Sequence, residues 1–159
     1  MSVERIVVNT GPLIAWALID AIEIPGMLPY EFCCPAEVRY ELEQGESRGY
    51  MRIAPEWLHV VSLKTPLSEI AVCALDFGEA AVIQLALEHS IGWVCIDEWK
   101  GRRAAAAVGL KVVGSLGVLA KAKQLGLISS LREMVERAVQ EGIRYHPELV
   151  RNVLAAVGE

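Results

Sequence analysis

From Ile91 to Leu119 the chain reads IGWVCIDEWKGRRAAAAVGLKVVGSLGVL, and this stretch leaves little choice of fold. An apolar run, Ile91 to Ile96, stops abruptly at two acids, Asp97 and Glu98. A basic segment with Lys100, Arg102 and Arg103 leads into an alanine-rich run that ends at Gly109. A second apolar run, Lys111 to Val113, then breaks at Gly114. The pattern predicts strand, helix, strand, and such short continuous apolar runs suit a parallel sheet covered on both faces. Open parallel sheets bind ligands in the crevice beyond the carboxyl ends of their strands, and Asp97 and Glu98 stand at such an end.

The remaining segments extend the same alternation. Arg5 to Val8 reads as a buried first strand ending at Asn9, with Thr10-Gly11-Pro12 as a turn and a mostly apolar helix from Leu13 to Ile19. Glu31 to Cys34 is a short second strand; Pro35 suits the first turn of a helix, AEVRYELEQG, stopped by Gly45. Leu58 to Leu63 is a third strand, and Thr65-Pro66 is the cap and first position of a helical segment that Gly78 interrupts. Glu79 to His89 is a strong helix with Ala80, Ile83 and Leu87 on one face. Beyond the opening stretch come a helix from Ser115 to Leu125, a capping box Ser130-x-x-Glu133 and a last helix from Pro147. These elements predict a three-layer α/β/α domain spanning residues 1–159, with a central parallel sheet of four or five strands and a helical C-terminal tail.

Composition removes several function classes. With 53% apolar and 22% charged residues, the chain has material for a core and no signature of disorder. The longest uncharged run, Ile6 to Ile19, holds Asn9, Thr10, Gly11 and Pro12, and is too short to span a bilayer and too interrupted for a secretory signal. A cytoplasmic location follows as the expectation. Cys33, Cys34, Cys73 and Cys95 sit in apolar surroundings without C-x-x-C spacing, which reads as buried thiols. The net charge of −5 means that any nucleic-acid contact must be local.

The candidate chemistry lies at the predicted strand ends and helix starts. Asn9 and Thr10 follow the first strand, Asp97 and Glu98 the fourth, and Gly114-Ser115 the fifth. Glu79 opens the helix that leads into the fourth strand, and Glu37 and Glu41, four apart, share a helix face. Converging carboxylates repel one another. A divalent cation offsets that repulsion, and hard oxygen ligands select Mg²⁺ or Mn²⁺. Such a metal lowers the pKa of a bound water and stabilises charge on a phosphate oxygen. Each residue has a plainer role beside this one. Asp97 suits the cap of the helix after it, Glu79 complements a helix dipole, and Lys100, Arg102 and Arg103 suit a solvated face. Arg102 and Arg103, about 100° apart on a helix, cannot both face a cleft; one is expected to pair with a carboxylate. Trp16, Trp57, Trp93 and Trp99 suit core or interface rather than base stacking.

Taken in order, VVNTGPLIAWALI, CPAEVRYELEQG, LDFGEAAVIQLALE, CIDEWKGRRAAAAVGLKVVGSLGVLAKAKQLGLI and HPELVRNVLAAVGE resemble the PIN domain family, named for the PilT N-terminus. The resemblance is to small prokaryotic VapC-like ribonuclease toxins and covers nearly the whole chain. It implies an acidic pocket for Mg²⁺ or Mn²⁺, single-stranded RNA as substrate, a small antitoxin as partner and a homodimer. It places metal ligands and catalytic groups at Glu41, Glu79 and Asp97, with Glu98 beside the last, and the hydroxyl after the first acid at Thr10. Arg102, Arg103 and Ser115 are the candidate substrate contacts.

The chain departs from the family at the end of the first strand. Asn9 stands where the family usually has Asp; its carbonyl oxygen can reach a metal, but it carries no charge and cannot act as a base. Two readings follow: a metal-dependent endoribonuclease, or a PIN-like module that keeps RNA or antitoxin binding with a weakened metal site. A small-molecule enzyme using Gly114-Ser115-Leu116-Gly117 as a phosphate loop fits neither glycine spacing known for such loops.

Overall fold

The structure, a computed structural model, describes residues 3–159. One sheet holds β1 (Glu4–Val8), β2 (Tyr30–Pro35), β3 (Leu58–Val61), β4 (Trp93–Cys95) and β5 (Lys111–Val113), in the spatial order β3-β2-β1-β4-β5. Every pairing is parallel, with Ile6 opposite Phe32 on one side and Trp93 on the other. The flanking helices are α1 (Thr10–Leu18), α2 (Ala36–Ser47), α3 (Glu69–Ala74), α4 (Phe77–Glu88), α5 (Trp99–Ala107), α6 (Ser115–Gln124), α7 (Leu131–Gln140) and α8 (Pro147–Ala156). This is the three-layer α/β/α arrangement that the strand–helix alternation predicts. Consecutive residues of β1, β2 and β4 are buried (Val7 and Val8, Cys33 and Cys34, Val94 and Cys95), and because consecutive strand residues point to opposite faces, both faces are covered.

The chain steps outward from β1 to β2 and β3, then crosses back to place β4 on the other side of β1. That reversal opens a crevice at the carboxyl ends of β1 and β4. Asn9 follows directly on β1, and Asp97 comes two residues after β4. An aromatic cluster fixes the helices around it. Trp16 of α1 is fully buried, edge-on to Phe32 of β2 at 6.2 Å, and Trp57 meets Phe32 at 5.4 Å. Edge-to-face pairs of this kind add about 0.5–1.5 kcal/mol each beyond area burial. Both indole N–H groups find acceptors, Trp16 on Ser115 O at 3.2 Å and Trp57 on Ile22 O at 2.8 Å. The first of these ties α1 to the start of α6, on the edge where the site lies.

Several local expectations are corrected. Gly45 does not stop α2, which runs to Ser47; the chain leaves it at Gly49, whose φ of +94° suits glycine. Thr65-Pro66 does not start a helix either. Glu88 holds that turn by accepting the Lys64 N–H at 2.7 Å and the Thr65 hydroxyl at 3.0 Å, and α3 begins later, with Ser68 accepting the Ala71 N–H. Cys33, Cys34 and Cys95 are buried as expected, but Cys73, on the short α3, is exposed. Of the Ser130 capping box only one half forms, the Ser130 hydroxyl accepting the Glu133 N–H at 3.2 Å, while Glu159 accepts the N–H groups of Leu131 and Arg132. No helix among the described residues is long and apolar enough to cross a membrane.

Candidate active site

The carboxyl edge of the sheet carries two polar corners, one beside β1 and one beside β4. In the first, Asn9 starts α1 without using its side chain as a cap, while its N–H donates to Cys95 O at 3.0 Å and ties β1 to β4. Its carboxamide is buried and turned towards Gly78 in the first turn of α4. Glu41 reaches the same place from α2, whose Val38 and Leu42 anchor its inner face. Glu37, four residues earlier, lines a separate groove with Lys64, Thr65 and Phe77, so Glu41 is the acid that faces the edge. Burial raises the Glu41 carboxyl above its ordinary range; the nearby Thr10 hydroxyl lowers it, and the charge of Asp76 raises it further. Thr10 Oγ1 nevertheless forms no hydrogen bond. Asn9 Oδ1, Thr10 Oγ1 and Glu41 Oε1 are all buried without a partner.

This corner depends on Gly78. A Cβ there would overlap Glu41 Oε1 and stand 3.1 Å from Asn9 Oδ1. In the sequence Gly78 reads as an interruption of a helix. In the structure it lies inside α4 and leaves the room in which Glu41 Oε1 and Asn9 Oδ1 meet. Next to it, Glu79 is 3% exposed and packs on α5, where a Cβ on Gly101 would come within 3.0 Å of its Cδ. Burial raises the Glu79 carboxyl, with the charge of Asp76 adding to it; the Asp76 N–H and Lys100 act the other way.

The second corner is built on Asp97. Its Oδ1 accepts the Ser115 N–H at 2.7 Å, so it caps α6 across the β4–β5 gap and not the helix that follows it. The residue before α5 is Glu98, which makes no cap bond. Burial raises the Asp97 carboxyl, while the Ser115 N–H and hydroxyl and the Arg102 charge lower it. Ser115 is the fully buried hub of this corner: its N–H serves Asp97, its carbonyl takes the Trp16 indole, and its hydroxyl shares a proton with Tyr145 at 2.7 Å. Asp97 opens into a cleft of about 1080 Å³, which Trp99, Arg102, Arg144, Tyr145 and His146 also line.

The two arginines do separate. Arg102 turns inward and donates to Ile96 O at 2.8 Å, a backbone carbonyl where a carboxylate was expected; Arg103 is exposed and stacks over Trp99. The convergence of acids is looser than the sequence predicts. Among the described residues no three His, Cys, Asp or Glu side chains come together as a ready metal nest. The reason lies in the side chains themselves. Asn9 supplies an amide in place of an acid, Asp97 is engaged by Ser115, Glu79 packs against Gly101, and Glu98 is exposed. Sequence reasoning missed Tyr145, Asp76 and Gly78. Gly78 had a signal, a glycine preceding an acid at a helix start; Tyr145, thirty residues from Ser115, had none.

The donor set can be tested against a hard divalent cation. Three buried, unpartnered oxygens beside one another are groups that the fold leaves unsatisfied, and they are oxygen ligands of the kind Mg²⁺ and Mn²⁺ prefer. Mg²⁺ is commonly held by one or two carboxylates with waters and substrate phosphates completing its shell, so Glu41 with a neighbouring acid suffices in kind, at less charge than a full set of acids gives. No curated protein and no solved structure matches the chain. One family model does, over residues 5–159: DUF3368, a PIN domain. With that match running from β1 to the last residue, the chain belongs to the PIN domain family.

Proposed function

We propose that this protein is a metal-dependent endoribonuclease of the PIN type, acting on single-stranded RNA in the cytoplasm as the toxin of a toxin–antitoxin pair. The observation that carries the reading is the trio of buried, unpaired oxygens at the carboxyl edge, Asn9 Oδ1 and Glu41 Oε1 against Gly78 with Thr10 Oγ1 near Glu41. In this reading Glu41 and Asn9 hold Mg²⁺ or Mn²⁺ together with Asp97 and Glu79, and Glu98 stands at the rim. When bound, the metal lowers the pKa of a coordinated water and stabilises charge on a phosphate oxygen. The chain's own residues do the rest. Ser115 and Tyr145 fix the orientation of Asp97, Arg102 lies beside it as a cation for a bound phosphate, and Thr10 adds a hydroxyl oxygen next to Glu41. Arg103 and Arg144, both exposed, serve the strand outside the pocket.

The partner in this reading is a small antitoxin. A groove of about 460 Å³ between α1 and α2 is lined by Ile14, Leu18, Tyr40, Tyr50 and Met51, all of them exposed, and Glu41 reaches its wall. An apolar segment laid there would cover the approach to Glu41. Trp16, Trp57 and Trp93 are taken up by the core, so of the four tryptophans only Trp99 is free to join the proposed homodimer.

The second reading, an RNA- or antitoxin-binding module with a weakened metal site, is favoured by Asn9 and by the lack of a three-acid cluster among the described residues. Calorimetric titration with Mn²⁺, run alongside cleavage of a single-stranded RNA, decides between them. Metal binding with metal-dependent cleavage that Asp97→Ala abolishes supports the nuclease. Binding of RNA with neither metal uptake nor cleavage supports the module.

A further inference from the structure

We propose that Trp99 is a stacking platform for a base of single-stranded RNA at the mouth of the Asp97 cleft. The inference rests on the nuclease reading for its substrate class. It starts from an anomaly. Indoles are costly to leave in water, and the other three tryptophans are buried or packed against the core; Trp99 is 71% exposed. It is the first residue of α5, two residues after Asp97, and lines the same cleft.

Its surroundings suit a base with a phosphate attached. Arg103 lies over one face of the indole ring, 5.6 Å from its centroid, which holds the ring in place and leaves the opposite face for a base. Lys100 follows it in α5, and Arg102 and Arg144 line the same cleft. On a chain of net charge −5, these cations gather beside an exposed aromatic face, with the acids Asp97 and Glu98 lining the same cleft. Beside the ring the cleft has apolar lining from Val112, Leu116, Leu149 and Val153 together with the cations Arg102 and Arg144, the mixture of sites that pair base stacking with phosphate contacts. The cleft, at about 1080 Å³, has room for a nucleotide beside the ring. Asp97 and the ring belong to one opening, so a stacked base would set which phosphodiester lies over the acids.

The test separates binding from cleavage. Affinity for a labelled single-stranded RNA is measured by anisotropy with chelator present, for wild type, Trp99→Ala, Trp99→Phe and Arg144→Ala, and again with an abasic strand of the same length. Stacking on Trp99 predicts a loss of about 10-fold for Trp99→Ala and less for Trp99→Phe, with the salt dependence unchanged. The abasic strand should bind wild type and Trp99→Ala equally. Arg144→Ala should instead flatten the salt dependence by about one phosphate contact. Equal binding of intact RNA by wild type and Trp99→Ala overturns the proposal, and so does wild type that binds no strand. A change of oligomeric state in Trp99→Ala with RNA affinity unchanged overturns it in favour of a protein interface. Cleavage with Mn²⁺ is scored separately, so RNA held through Trp99 but never cut removes the nuclease reading and leaves the platform standing.

Discussion

Two sets of carboxylates in this molecule have opposite circumstances. At the C-terminus, Glu159 accepts the Ser130 hydroxyl at 2.9 Å and the N–H groups of Leu131 at 2.6 Å and Arg132 at 3.3 Å, with Lys123 4.0 Å away. Desolvation pushes its carboxyl up, yet these donors together bring it below the ordinary range. At the sheet edge, burial raises the carboxyls of Glu41, Glu79 and Asp97, and Glu41 keeps a buried oxygen with no partner at all. The first acid is consumed by the fold, capping α7 and tying the chain's end to it. Asp97 is half used, capping α6 through the Ser115 N–H, while Glu41 and Glu79 are held against their own solvation. A half-buried acid with one buried, unpaired oxygen, as at Glu41, is a candidate for work on something that arrives later.

That comparison breaks most visibly at Gly78. Gly78→Ala places a Cβ on Glu41 Oε1 and should weaken Mn²⁺ binding by at least ~10-fold, read by calorimetry. Gly45→Ala is its control. There a Cβ meets Tyr50 Cβ at an ordinary 3.9 Å, and removing a helix-interior glycine should stabilise the fold by about 1 kcal/mol without touching metal affinity. Equal metal binding by the two variants would detach the unpaired oxygens from any metal role. Asn9→Asp sharpens the same contrast from the other side. It restores a charged oxygen where the family usually has one, so Mn²⁺ affinity should rise by roughly 10-fold. Without metal it adds a carboxylate to a crowded corner and should lower the melting temperature. A melt raised in chelator would mean that the corner is less anionic than its residues imply.

The order of elements was legible because parallel strands buried on both faces announce themselves as short apolar runs, and all five strands are where such runs lie. What could not be read was geometry at close range. Glu41 and Glu37 lie four apart and share a helix face in sequence, yet only Glu41 reaches the sheet edge, because that depends on where α4 crosses α2. Asp97 at a strand end and Ser115 at another were both marked as candidates. That one caps the helix of the other, with Tyr145 closing the network, is a relation between three distant segments that no local pattern encodes. Asn9 was the clearest signal in the chain, being a departure from a pattern rather than a match to it.

At the other end of the comparison, Glu159→Gln should lower the melting temperature by roughly 2–4 °C at neutral pH, because a neutral amide cannot serve the helix end and Lys123 as the carboxylate does. The sign with pH follows from the lowered carboxyl. Its contribution is present above the unfolded-state pKa and is lost as pH falls through the folded one, so the gap between variant and wild type should close in acid. A gap that persists after Glu159 is protonated would mean that packing, not charge, holds the C-terminus.

The smallest effect tests the unsatisfied side directly. Glu41→Gln replaces the carboxylate with a neutral group of nearly the same shape. Because burial raises the folded-state pKa of Glu41, its contribution to stability is complete below the unfolded value, about pH 4, and is lost as pH rises through the folded one. Wild type and Glu41→Gln should therefore melt together in acid and part as the pH climbs, with the variant ahead by roughly 2 °C at neutral pH in chelator. Excess Mn²⁺ should reverse the order, because only the carboxylate gains a charged partner from the metal. If Glu41→Gln is the less stable protein at neutral pH without metal, Glu41 belongs with Glu159 among the acids the fold has already used, and the metal reading loses the residue it leans on most.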